Sequence, residues 1–206
     1  MEILTQIKNL GFSEHTYSEV VLSIRHRDKV NVAPMGVLLG EDENLHLRVY
    51  KGQRTCKMIM DGAEDCILNI TDDPRVFYDA VFRKDRIAYY PSKKVSSPRI
   101  CGCNAYVECI IINRLEREEF IEVSLKPMLI SVLKHPVVTY QRAGPAVIEA
   151  LICYTKLLHF RRSDRRAIKE LMKRMQIFKD IVYHSTRNND LRMMITEILE
   201  RARDAE

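Results

Sequence analysis

The sequence has no apolar run long enough to cross a bilayer; stretches such as 146–154, which itself includes Glu149, are about half of the ~20 residues that a span requires. Its start, Met1-Glu2, lacks the basic segment of a secretory signal, so the sequence predicts a cytoplasmic protein. No low-complexity tract occurs, and glycine and proline number only 7 each among 206 residues. With 46% hydrophobic and 30% charged residues, disordered, collagen-like and coiled-coil chains are excluded. Zinc-type spacing is also missing. Cys101-Gly102-Cys103 has neither a second cysteine pair nor spaced histidines, and reads more simply as a tight turn entering a strand. Cys56, Cys66, Cys109 and Cys153 stand singly among apolar residues and read as core thiols. No Ser/His/Asp order, paired carboxylates or Walker loop emerges. The histidines (His15, His26, His46, His135, His159 and His184) are scattered without partners in the sequence, which favours structural or exposed roles.

What is present has a clear order. Residues 3–10 have helical spacing and stop at Gly11. Segments 17–25, 30–39, 44–50, 66–71, 105–113 and 120–125 are short, rich in β-branched and aromatic residues, and bounded by turn residues. Between the fourth and fifth, Val76, Phe77, Ala80 and Val81 fit one short amphipathic helix. Six short strands with one interposed helix predict a small antiparallel barrel, because no strand alternates regularly with long helices. After Pro127 the pattern turns helical: Gly144-Pro145 opens a helix, Ser163 caps a second, and Asn189 or Asp190 starts a third. The class is therefore α+β, with a barrel domain over 1–130 and a three-helix domain over 131–206. The boundary falls in the stretch 126–140, where Lys126-Pro127 and His135-Pro136 break regular structure.

Three segments carry chemistry. In Asn31-Val32-Ala33-Pro34-Met35-Gly36, a proline inside a strand removes a ladder donor and the glycine allows close approach, so pairing should stop where a ligand could lie; an irregular edge without a ligand fits equally. Lys51, Arg54, Thr55 and Lys57 cluster in a basic turn after a strand, with the charge and donors that a phosphate requires, although such turns are often only solvated. Asn69 sits within an apolar strand and its amide needs partners, from the backbone or from a ligand with polar edges. The whole positive excess sits in residues 156–179, which hold 9 Lys and Arg against 2 Asp and Glu, and makes a local nucleic-acid patch over Arg161–Arg174 an alternative; no aromatics interleave it for base stacking.

Together, in this order, these segments resemble the FMN-binding split-barrel proteins, the superfamily of flavin reductases and pyridoxamine-phosphate oxidases. The chain is most similar to a mainly archaeal branch that adds a C-terminal helical domain. The matching residues are Asn31 to Gly36, Arg48-Val49-Tyr50 followed by Thr55, Asn69 to Pro74, and Gln141 to Ala150. The resemblance implies bound FMN, with Asn31, Val32, Ala33, Pro34, Met35 and Gly36 along the isoalloxazine ring. It implies Arg54, Thr55 and Lys57 at the phosphate, Lys51 nearby, and Asn69 reaching the ring or ribityl chain. Met35-Gly36 stands where flavin reductases often have Ser or Thr, so backbone contacts to the ring are expected rather than a hydroxyl. A homodimer with flavin near its interface is also implied. So is hydride transfer between a nicotinamide or deazaflavin and a small acceptor, with no acid–base residue named; a non-catalytic flavin carrier or sensor is the alternative. Arg142 and Glu149 read as a helix-capping ion pair ahead of a substrate contact.

Overall fold

A computed structural model describes residues 3–12, 14, 18–134, 143–160, 163–186 and 188–205. The chain divides into two compact units, Met1–Thr71 with Asp79–Pro136, and Asp72–Tyr78 with Val137–Glu206.

In the first unit, α1 (Ile3–Asn9) precedes three antiparallel strands: β1 (Ser18–His26), β2 (Lys29–Leu39) and β3 (Leu45–Tyr50). The β1–β2 turn has only two central residues, and Arg27 takes the required positive φ of 54°. A short helix, α2 (Arg54–Met60), follows, then β4 (Asp65–Ile70) and α3 (Pro74–Phe82), of which Asp79–Phe82 belong to this unit. After a 3₁₀ turn at Lys84–Arg86 come the two-residue strands β5 (Tyr89–Tyr90) and β6 (Arg99–Ile100), which pair with each other. The long hairpin β7 (Ala105–Glu116) and β8 (Phe120–Val132) completes a closed six-stranded barrel in the order β1-β2-β3-β8-β7-β4. Its interior holds alternate residues of each strand, among them Leu22, Ile24, Val37, Leu47, Leu68, Val107 and Val123. Cys56, Met58 and Ile59 of α2 join the same core. Fully burying each large apolar side chain contributes roughly 1.5–3 kcal/mol before conformational entropy is subtracted.

Two expectations about this unit need correction. The strand ending at 125 extends to Val132, so Lys126-Pro127 does not break regular structure. Pro127 sits at a register shift, paired with Cys109 while Leu129 pairs with Glu108, and a bulge tolerates a residue without an N–H. The basic turn also leads into a helix of its own, so two helices and not one interrupt the strands.

In the second unit, α4 (Ala143–Phe160), α5 (Arg165–Ser185) and α6 (Asn189–Ala205) bury one face each, including Leu151 and Leu157, Met175 and Val182, Ile195 and Ile198. The starts of α4 and α5 differ from the predicted ones by one to three residues, while α6 starts at Asn189 as predicted. Pro145 lies two residues inside α4, still in the first turn where its missing N–H costs nothing. The cap of α5 is Asp164, whose carboxylate accepts from the N–H groups of Arg166 and Ala167, while Ser163 donates back to the Phe160 carbonyl. Asn188 holds the N–H groups of Asp190 and Leu191 at the start of α6. Glu149 is exposed on α4. Its predicted partner Arg142, with Gln141, His15, His135 and Pro136, lies outside the described residues.

Candidate functional site

The β1–β2 register explains Pro34. A two-residue turn makes His26 and Lys29 a hydrogen-bonded pair, so by alternation Asn31, Ala33 and Met35 direct their backbone groups to β1. Val30, Val32, Pro34 and Gly36 direct theirs to the opposite edge. On that edge β3 pairs only with Val37, Leu38 and Leu39. The ladder therefore stops at the Pro34-Met35-Gly36 stretch, as the sequence implies. It leaves a row of outward carbonyls and N–H groups, interrupted where proline has no donor to offer. Side chains divide the other way: Ala33 and Met35 pack into the barrel core, while Val32, Pro34 and Gly36 belong to its outer face.

Asn31, at the start of this stretch, is buried and faces α2. Its Nδ2 donates to Thr55 Oγ1 at 2.9 Å, and its Oδ1 accepts from Lys84 Nζ at 2.8 Å. Thr55 is itself buried, on the side of α2 that meets the barrel. A hydrogen-bonded chain thus runs from the 3₁₀ turn through β2 to α2. Lys84 is half-buried, and desolvation together with the neighbouring Arg54 guanidinium pulls its ammonium pKa below the ordinary value. Among the described residues no carboxylate pairs with Lys84 or Arg54. Nothing in the sequence marked Lys84, which lies some thirty positions from the basic turn.

The other face of α2 borders a cleft of about 600 Å³, inside the roughly 300–1,000 Å³ span of small-molecule sites. Lys51, Arg54 and Lys57 line it on the basic side, Met60 and Ile121 on the apolar side. Lys51 is partly neutralised by Glu116, 3.5 Å away, and both are exposed. Cys56 also borders the cleft, but burial raises its thiol pKa and leaves it a poor nucleophile. Gly52, with φ of +90°, lets the chain turn from β3 into α2.

Asn69 is placed differently. It shares a cross-strand row with Val21 and Pro34, which sets it two strands, about 10 Å, from the open stretch of β2. Its amide is committed to the protein: Nδ2 donates to the Val21 carbonyl and to Ser23 Oγ, both at 2.9 Å, and Oδ1 accepts from the Ile100 N–H at 2.8 Å. It pins the connection before β7 to the outer face of β1 and β4. The buried Glu108 carboxylate does the same for that connection by accepting from the N–H groups of Lys93 and Lys94, and Asp65 by accepting from those of Ser96 and Ser97.

Elsewhere, the cysteines are all free and only Cys101 is exposed. No cluster of metal-ligating side chains occurs among the described residues. His46 gains partners that sequence spacing did not reveal, contacting Asp42 at 2.8 Å and Ser124 at 3.2 Å, the latter across the β3–β8 ladder, while His184 contacts the Asp180 carbonyl at 2.7 Å. In the predicted nucleic-acid patch, Arg165, Arg166, Lys169, Lys173 and Arg174 are exposed on α5, with Arg174 near Glu170, while Arg161 and Arg162 lie outside the described residues. No helix of the described residues is long and apolar enough to cross a membrane.

Comparison with known proteins agrees with this architecture. The signature of the N-terminal domain of a protein family of unknown function, DUF447, matches residues 18–134. The crystal structure of an FMN-bound DUF447 protein from Methanosarcina mazei superposes with a TM-score of 0.75 over 95% of this chain and 99% of that one, at 17% identity. An NADH:FAD oxidoreductase from Streptomyces globisporus gives 0.51 over 58% and 77%, at 9% identity. Component B of a nitrilotriacetate monooxygenase from Mycobacterium thermoresistibile gives 0.50 over 66% and 77%, at 16% identity. At these identities the likeness is one of fold. No curated protein matches the sequence.

Proposed function

The chain belongs to the DUF447 family through its N-terminal domain, and from that premise we propose that it is a flavoprotein that binds FMN at β2 and α2 and works as a flavin reductase-like oxidoreductase. The observation that carries the reading is the unladdered stretch of β2, tied through Asn31 to the basic helix α2, in a barrel whose structural likenesses include an FMN-bound protein and flavin-dependent enzymes.

The residues present fit such a cofactor. Arg54 and Lys57, with Lys51, supply positive charge for a phosphate on the cleft side of α2, and the buried Thr55 hydroxyl, on its barrel side, keeps an uncommitted donor. The backbone groups of Val32 and Gly36 and the Pro34 carbonyl offer the alternating donors and acceptors that a ring with a polar edge requires. FMN, when bound, supplies hydride chemistry. The chain's part is to hold the phosphate, fix the ring against the β2 edge and keep water from it. No side chain at the site is assigned to carry a proton.

A homodimer belongs to the same proposal. Ile112, Leu115, Met128, Val132 and Leu133 are large apolar residues left exposed on or next to the β7–β8 hairpin, a surface suited to a second copy. The first experiment is an absorbance spectrum of purified, desalted protein, with heat release and identification of the chromophore. A flavin spectrum, or uptake of added FMN, supports the proposal; a colourless protein that takes up no flavin overturns it. Oxidation of NADH or a reduced deazaflavin by the loaded protein then separates an enzyme from a carrier.

A further inference from the structure

The hydrogen-bonded chain behind α2 has a direction. Lys84 has only N–H groups to give, so its bond to Asn31 Oδ1 fixes the orientation of that amide. Asn31 Nδ2 must then donate to Thr55, which makes Thr55 Oγ1 the acceptor. The Thr55 hydroxyl proton is thereby left to donate onward, and no acceptor for it occurs among the described residues. A cation at one end of such a chain polarises every bond along it and strengthens the final donor. Two further N–H groups remain on Lys84 itself. Arg54 stands close enough to disfavour the charge on Lys84, and neither cation has an anionic partner among the described residues. Two adjacent cations, one of them half-buried, are costly in an empty site and favourable once a dianion lies between them.

We propose that Lys84 is a phosphate-binding residue of this site: with Arg54 it neutralises the phosphate monoester of the bound nucleotide, and through Asn31 it presets the Thr55 hydroxyl to donate to the same group. The identity of the ligand rests on the flavin reading above, whereas its charge rests only on the Lys84–Asn31–Thr55 chain and Arg54. Lys51 and Lys57 then take a lesser part, since Lys51 is paired with Glu116 and neither is set against Lys84 as Arg54 is.

The test compares FMN with riboflavin, which lacks the phosphate, by fluorescence titration of flavin-free protein carrying Lys84→Met or Lys84→Arg. Losing a charged hydrogen bond should weaken FMN binding by roughly 10-fold or more, leave riboflavin within about 2-fold, and so collapse the preference for FMN. Lys84→Arg should restore most of that preference. Equal weakening of both ligands, or no weakening of FMN, overturns the proposal. Should Lys84→Met fail to fold, Thr55→Ser and Thr55→Val ask the same question: serine keeps the donor and the preference, and a valine variant that still prefers FMN overturns the assignment. If wild-type protein binds neither flavin, inorganic phosphate decides. Thermal protection by phosphate that Lys84→Met abolishes upholds the anion site while the flavin reading falls; no protection of the wild type overturns both.

Discussion

Asn69→Ala separates a brace from a ligand contact, because the two roles move different observables. The Asn69 side chain makes short bonds to three groups in the barrel wall, the Val21 carbonyl, Ser23 Oγ and the Ile100 N–H, and is itself wholly buried. Each such bond contributes about 1 kcal/mol net, and a backbone N–H left buried without an acceptor costs about 1–3 kcal/mol more, so the variant should lose roughly 4–6 kcal/mol. For a chain of this size about 2–4 °C of melting temperature accompanies each kcal/mol, which gives a fall of roughly 8–24 °C. Asn69→Asp should be no milder, since it keeps an acceptor for Ile100 but sets a carboxylate against the Val21 carbonyl. Thermal melts followed by circular dichroism read the loss, and FMN titration well below the melting range reads the other role. A melting temperature within about 2 °C of wild type, together with FMN affinity down by about 10-fold or more, would refute the reasoning and restore Asn69 as a cofactor contact.

Other regions give shorter tests. Gly40→Ala would put a Cβ 2.3 Å from both Asp42 Oδ1 and His46 Nε2, the ends of two exposed side chains that can swing aside, so only their mutual hydrogen bond should be lost; urea unfolding should show a loss of no more than about 1 kcal/mol, and a larger loss would speak against this. Hydrogen bonds from Asn44 and His46 lower the Asp42 carboxyl from 3.8 to about 2. A lowered carboxyl pKa stabilises the fold above the unfolded value, so this contribution is complete above about pH 4 and is lost as pH falls through about 2; Asp42→Asn should flatten the acid limb of a stability–pH curve. If the exposed residues at β7–β8 meet a second copy, Leu115→Lys with Leu133→Glu should shift the sedimentation coefficient to that of a monomer without lowering the melting temperature of the barrel at high dilution.

Much of the barrel was legible because its strands are short, alternate and end at turn residues. The Pro34 reading held for a local reason: a missing donor is tolerated where no neighbouring strand asks for one, and the β1–β2 register sets that position toward the open edge. The same rule misled at Pro127. A proline also fits a bulge, and whether a strand continues past it depends on the partner strand, here the Glu108–Cys109 register shift in β7. The cap of α5 lies one residue from the expected serine because serine and aspartate are both capable caps, and which one turns inward is a matter of local backbone geometry; α6 starts at Asn189 as expected.

The site was legible only where its residues are neighbours in sequence. Lys51, Arg54, Thr55 and Lys57 announce themselves as a basic turn, and Asn69 as a polar residue in an apolar strand. For Asn69, however, the need for partners is met by Val21, Ser23 and Ile100, which the barrel brings to it from β1 and β6. Lys84 is the converse case. In the sequence it is one of several cations in a charged stretch after α3, indistinguishable from Arg83 or Arg86. What sets it apart is the closure of the barrel, which brings Asn31 of β2 within reach of both the 3₁₀ turn and α2. A hydrogen-bond chain with a charge at one end and an unspent donor at the other requires three segments to meet, and its chemical meaning exists only once they have met.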